Sequence, residues 1–434
     1  MQLDDALADA RAAYIRRNPA SREQLQEAAR FLPGGNTRSA LYYEPFPLTI
    51  ARGQGAWLWD VDGHRYTDFL AEFTCGIYGH SNPLIRAALV EALDNGINLS
   101  GHNRHEARLA ELVAGRFSLE RVRFTNSGTE ANLMAIAAAK AFTGRGAVLA
   151  FTGGYHGGVL TFATGNSRVN VPHRFILSRY NDLAAAEDLM REHGHDVAAV
   201  LVEPMQGAGG CIPGDAPFLH GLRQLCTRHG ALLVLDEVMT SRLAPGGAQS
   251  LLALAPDLTT LGKYIGGGMS FGAFGGRGDV MALFDPGRSG ALPHAGTFNN
   301  NVMTMCAGIA GLERLYTPQA AVALNARGDA LRGRLNVMCA EAGTALQFTG
   351  LGSLMNLHPV AGAVRRTEDL AAAPTAVRDL FFFHMIARGF YLARRGMLAL
   401  SLPLEDTDID RFANAFADFL STYRPLLGAG DARA

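Results

Sequence analysis

Residues 232–268 read LLVLDEVMTSRLAPGGAQSLLALAPDLTTLGKYIGGG. Leu232 to Leu235 is an apolar run short enough to be a buried parallel strand. Asp236 follows at its C-terminal end, the edge where ligands gather in open α/β sheets. A second run, Leu258 to Leu261, ends at Gly262-Lys263, and three glycines, Gly266 to Gly268, come soon after. The spacing, 263 − 236 = 27, allows two neighbouring strands to end at one edge. A lysine walled in by glycine and apolar side chains loses proton affinity, because burial disfavours its charge. Its neutral amine is then a nucleophile for a carbonyl and can form a Schiff base. A carboxylate beside it is what a pyridinium nitrogen requires. Taken alone, Lys263 reads more readily as a solvated surface lysine and Asp236 as a turn residue.

Outward from this stretch the pattern alternates. Strands are expected at 121–125, 147–151, 174–177, 197–202 and 231–235, with helices at 105–116, 128–142, 182–193 and 216–229. The strands are continuous apolar runs, as a sheet covered on both faces requires. Upstream, 2–31 reads as one or two amphipathic helices, 48–69 as a small antiparallel set and 80–95 as a helix after Pro83. Downstream, helices are expected through 315, over 318–342, near 374–388 and at 405–422, with short strands near 346–358 and 397–401. The fold class is α/β: a large domain with a mostly parallel sheet covered by helices, plus a smaller α+β domain. The expected division is 1–65 for an N-terminal segment packing with the small domain, 66–310 for the large domain and 311–434 for the small one.

The 434 residues suffice for a large core. With 39 basic and 40 acidic residues, the net charge of −1 gives no electrostatic reason to expect nucleic acid or an anionic membrane. No stretch approaches the apolar length of a membrane span, and MQLDDALADA lacks a signal peptide's basic start and apolar run. The five cysteines are scattered, with no C-x-x-C, so neither a disulfide framework nor a zinc site is expected and a cytoplasmic location fits. His102 and His105 lack a third ligand at useful spacing, so no metal is expected.

Other motifs stand at expected strand ends. Ser127-Gly128-Thr129, between a strand and a helix, is either an anion site or an ordinary helix cap. In Gly153-Gly154-Tyr155-His156-Gly157-Gly158 the glycines admit a flat ring and Tyr155 offers a stacking face, though a packed loop reads the same way. Glu203-Pro204-Met205-Gln206-Gly207 ends its strand as Asp236 does, and a second carboxylate there can tune a nearby proton. His294 to Asn301, containing Thr297, precedes a helix. Arg38, near Tyr42, Tyr43 and Phe46, and Arg395 could each hold a carboxylate bidentately. The aromatics after Arg38 could line a pocket for an aryl group.

DEVMTSR followed by TTLGKYIGGGMSFGAFGG resembles the class III aminotransferases of fold type I, enzymes that use pyridoxal 5′-phosphate. The resemblance runs from about Pro33 to about Pro403. It implies a seven-stranded type of sheet, Lys263 as the residue that holds the cofactor and Asp236 as partner of the pyridine nitrogen. It puts the phosphate at Ser127, Gly128 and Thr129 and stacks Tyr155 on the ring, with His156 nearby. Gln206 would contact the phenolic oxygen and Glu203 would support it. Val238 and Met239 belong to the same wall. Thr297 would reach the phosphate of the neighbouring subunit, which implies a homodimer with active sites at the interface.

Within the family, NSGTEANLMA, GGYHGGV, LVEPMQGA, DEVMTSRLAP and GTFNNNVMTM resemble a branch that acts on aromatic β-amino acids. That implies (S)-β-phenylalanine as donor, 2-oxoglutarate as acceptor, and Arg38, Arg395 and Tyr42 as substrate-binding residues. Two alternatives stand. Glutamate-1-semialdehyde 2,1-aminomutases share SGTEA, DEVMT and GKxIGGG. Gly268-Met269-Ser270-Phe271-Gly272 fits the serine-hydrolase pattern G-x-S-x-G, which demands a strand before Ser270 and a helix directly after it.

Overall fold

A computed structural model describes residues 2–429; Met1 and residues 430–434, which the expected terminal ranges include, lie outside the described residues. Seven strands form the large sheet, in spatial order Arg121–Thr125, Gly272–Gly276, Leu258–Gly262, Leu232–Asp236, Val197–Val202, Ala147–Phe151 and Arg174–Ser178. Gly272–Gly276 is antiparallel to both of its neighbours. The other strands run parallel to one another.

The apolar runs are strands because both faces of the sheet are covered. Val200, Leu233 and Leu235 pack on one side against Phe218, Leu222 and Met190, from the helices Ala216–His229 and Leu183–His193. Ala199, Leu201 and Val234 pack on the other against Ala131, Ala135 and Ile136 of the helix Gly128–Thr143. Alternate residues of one strand thus enter two different cores, and a continuous apolar run satisfies both. Ser127 caps the start of Gly128–Thr143, its Oγ accepting from the Glu130 N–H, and Gly144 ends it in the left-handed region.

The remaining elements build a second layer. Leu346–Leu351, Leu354–Pro359 and Met397–Ala399 form a three-stranded antiparallel sheet. The N-terminal strands Ile50–Gln54, Trp57–Asp60 and Arg65–Asp68 pair antiparallel, and Phe390–Tyr391 joins Arg65–Asp68 in parallel. The first helix, Leu3–Arg17, lies along Thr375–Ala387. There Arg11 donates to the buried Asp379, and Tyr14 packs against Phe383. Among the described residues no helix is long and apolar enough to cross a membrane.

One expectation fails here. Tyr43 and Phe46 do not line a pocket. Both are buried, Tyr43 edge-on to Phe382 and Phe46 beside Tyr14, because they cover the junction between the first helix and Thr375–Ala387.

Candidate active site

Parallel strands end together, so their following residues share one edge of the sheet. Asn126-Ser127, Gly153, Glu203, Asp236 and Lys263 all follow or close such strands. Close packing fixes their mutual positions. A Cβ on Gly128 would stand 2.8 Å from both Val238 methyls, and one on Gly262 would stand 3.2 Å from Val238 Cγ1. Val238 is therefore wedged between the start of helix 128–143 and the glycine before Lys263. A Cβ on Gly207 would lie 2.1 Å from the Met239 sulfur, which presses Met239 onto the 203–207 turn.

Asp236 is buried, and both of its oxygens are held. Oδ1 accepts from the Val238 N–H at 2.9 Å. Oδ2 accepts from Asn132 Nδ2 at 2.8 Å and lies 2.7 Å from His156 Nδ1. Burial pulls the His156 imidazole down, but the Asp236 hydrogen bond and charge, with Glu203 behind them, leave it above its ordinary value. Glu203 accepts from the N–H groups of Tyr155 and Gly207, each at 3.0 Å, yet burial pushes its carboxyl up to about 7.

Lys263 sits in the left-handed region at φ 57°, unusual for a residue with a side chain. Burial lowers its pKa. Next in weight, the Cys75 thiol opposes that shift; Arg38 then adds to it, Glu72 opposes it and Arg395 adds to it.

The donors and acceptors left over match a phosphorylated pyridine aldehyde. The N–H groups of Gly128 and Thr129 open a helix and have no intrahelical partner, a natural phosphate cradle. Asp236 offers a fixed negative charge. Gln206 donates through Nε2 to the Thr152 carbonyl at 2.8 Å, while its buried Oε1 is unpaired. A contact from that Oε1 to a phenolic oxygen requires the oxygen to bring the proton. Tyr155 is about half exposed, its ring free to take up a planar partner.

The two arginines converge on one ring. The guanidinium carbon of Arg38 lies 5.9 Å from the Phe73 centroid and that of Arg395 lies 5.2 Å from it. Arg395 donates to the Met397 sulfur at 3.1 Å, and its buried Nε has no hydrogen-bond partner among the described residues. Tyr42 stands apart, its exposed phenol donating to Glu44 at 2.7 Å. Thr297 is exposed beside Phe298. The loop around it is tied to the chain's own Asn126 through Asn299 at 3.1 Å.

Ser270 makes no hydrolase elbow. It follows the turn Lys263–Gly266 and precedes the strand Gly272–Gly276, so the required strand-then-helix setting is missing.

Sequence reasoning overlooked Asn132, Thr260, Glu237 and Phe73. Asn132 bridges Asp236 and the His156 carbonyl and accepts from Thr260 at 2.7 Å. Its signal was available: a polar residue one turn from buried alanines on the same helix face. Glu237 is wholly buried and accepts from Thr240 and from the Ala248 and Gln249 N–H groups, closing the loop after Asp236. Nothing local announces Phe73.

Residues 39–373 match the family model described as Aminotransferase class-III. The chain is 60% identical to the beta-phenylalanine transaminase of Variovorax paradoxus over 426 residues, 98% of either chain. The crystal structure of a beta-phenylalanine aminotransferase from that organism superposes with a TM-score of 0.98 at 59% identity, covering 99% of this chain and 100% of that one. A glutamate-1-semialdehyde 2,1-aminomutase of Desulforamulus reducens is 36% identical over 416 residues, 91% of this chain and 96% of its own. The aminomutase alternative is thus the less supported.

Proposed function

The chain belongs to the class III aminotransferases, pyridoxal 5′-phosphate enzymes of fold type I, and from that premise we propose that it moves the amino group of an aromatic β-amino acid, (S)-β-phenylalanine first, to 2-oxoglutarate. The products are the β-keto acid and glutamate. The observation that carries the choice of carboxylate substrates is the pair of guanidiniums on Phe73, one of them in no ion pair among the described residues. The 60% identity to a relative that bears that activity in its name supports the donor class.

When bound, pyridoxal phosphate takes up the amino group and draws into its ring the electrons left at the donor carbon. The chain does the rest. Lys263, its proton affinity lowered by burial, would remove the proton from the amine-bearing carbon and return one on the way back. Asp236, held by Asn132, Val238 and His156, keeps a proton on the ring nitrogen. Ser127, Gly128 and Thr129 would hold the phosphate, Tyr155 would stack on the ring, Glu203 and Gln206 would border it, and Val238 and Met239 would line the same wall. Arg38 and Arg395 hold substrate carboxylates.

Thr297 is exposed and free to serve a neighbouring subunit, and we take the active form to be a homodimer with shared sites. The same reading divides the chain at 65/66 and 310/311. The five unpaired cysteines suit a reducing, cytoplasmic setting.

The test is a single turnover. Cofactor-loaded protein receives (S)-3-amino-3-phenylpropanoate with no oxo acid, and the visible absorbance is followed. Conversion to the pyridoxamine phosphate spectrum is expected. A cofactor band that does not move overturns the donor assignment.

A further inference from the structure

We propose that Glu72 is a built-in stand-in for a substrate carboxylate, occupying Arg38 until an incoming carboxylate displaces it. The inference rests on the reading of Arg38 as a substrate site. Glu72 Oε1 forms an ion pair with Arg38 Nη1. The two side chains are 53% and 48% exposed, so the pair is weak and open to exchange. Arg395, on the same Phe73 ring, forms no ion pair among the described residues. Of two guanidiniums that suit carboxylates, one is neutralised from within the chain.

The backbone shows that this arrangement is imposed. Ala71, Glu72, Phe73 and Thr74 have φ of 47°, 51°, 49° and 82°, four successive side-chain-bearing residues in the left-handed region. Such a run is unfavourable and persists only where its surroundings fix it. Here the Leu70 and Ala71 N–H groups donate to Asp68 Oδ1 at 2.8 and 3.0 Å, and the Gly76 N–H donates to the Ala71 carbonyl at 2.8 Å. The result sets Phe73 under both arginines and the carboxylate of the preceding residue on one of them.

A carboxylate ligand must then compete with Glu72, whereas a ligand without a carboxylate need not. Neutralising residue 72 removes the competitor and tightens binding. If Glu72 merely held Arg38 in place, the same change would loosen binding, so the sign decides.

The experiment measures, by calorimetry on cofactor-loaded protein, the affinity for 3-phenylpropanoate, which has no amino group and cannot react. Glu72→Gln is expected to bind it about two- to fivefold more tightly than the parent. The gain should vanish when Arg38→Gln is added, and binding of 3-phenylpropan-1-ol should not change. Equal or weaker binding by Glu72→Gln, or a gain that survives loss of Arg38, overturns the proposal. Should Glu72→Gln fail to fold, Glu72→Asn, better suited to positive φ, replaces it. Turnover of β-phenylalanine by the parent protein is scored separately. Its failure removes the proposed function, while the sign of the Glu72 effect judges the inference.

Discussion

The carboxyl of Glu203 stands buried at the end of strand Val197–Val202, with His156 and Asp236 among its charged neighbours. Burial raises it from 4.5 to about 7, so the folded chain favours its neutral form. Stability from this group is therefore complete below about pH 4.5 and is lost as pH rises to about 7, by roughly 3 kcal/mol. His156 runs in the same direction: its raised pKa contributes stability at low pH that fades as the imidazole loses its proton. Replacing Glu203 with Gln removes the larger slope. Urea unfolding of the cofactor-free protein should show the parent weaker at pH 8 than at pH 5, with a clearly smaller difference in Glu203→Gln. An equal difference in both proteins would place the pH dependence elsewhere. In the sequence Glu203 was visible as a strand-end carboxylate. Its complete burial was not, because that depends on which loops lie over the strand end.

At the scale of elements, the site depends on two loops locked against a helix start. Gly157 has φ 129°, and a Cβ there would fall 2.1 Å from Thr129 Oγ1. Gly157→Ala forces backbone and helix apart, at about 2–5 kcal/mol from strain and overpacking together. The helix start is also the proposed phosphate cradle, so cofactor affinity should fall along with the melting temperature. Gly144 is the control. It caps the far end of the same helix at φ 69° with nothing within 4 Å of a Cβ. Gly144→Ala should cost only about 1 kcal/mol and leave cofactor affinity unchanged. Thermal melts and a pyridoxal phosphate titration of both variants check this. The helix itself was legible from its Ser127 cap and apolar period. The contact between Gly157 and Thr129 joins a loop to a helix start distant in sequence and had no local signature.

At the scale of the whole molecule, the first helix is tied to the segment that precedes Arg395. Arg394 grips Asp379 with two hydrogen bonds of 2.6 and 2.7 Å, and Arg11 of the first helix reaches the same carboxylate at 3.1 Å. Arg395 follows directly, so the N-terminal helix supports the segment that carries it. Thr297, exposed in one chain, supplies the test of a shared site. Lys263→Ala and Thr297→Ala homodimers should each be impaired, the first fully. In mixed dimers one site would combine the second chain's lysine with the first chain's threonine. Mixing the two preparations under subunit exchange should therefore raise the rate above that of Thr297→Ala alone, toward the parent rate. No recovery would mean that Thr297 serves its own chain's site, or none.

The sequence alone determined the doubly covered sheet, because a strand buried on both faces must be apolar throughout and the intervening helices carry their own caps and periods. It also determined Lys263 and Asp236 as strand-end chemistry at one edge, since parallel strands end together. Only the tertiary structure decided which neighbours those groups meet. Asn132 reaches Asp236 across 104 positions, and Arg395 meets Phe73 across 395 − 73 = 322. It also sent Tyr43 and Phe46 into the core and left Tyr42 at the surface. Those outcomes depend on how separate layers close on one another. Local patterns of burial, turn and cap do not encode that closure.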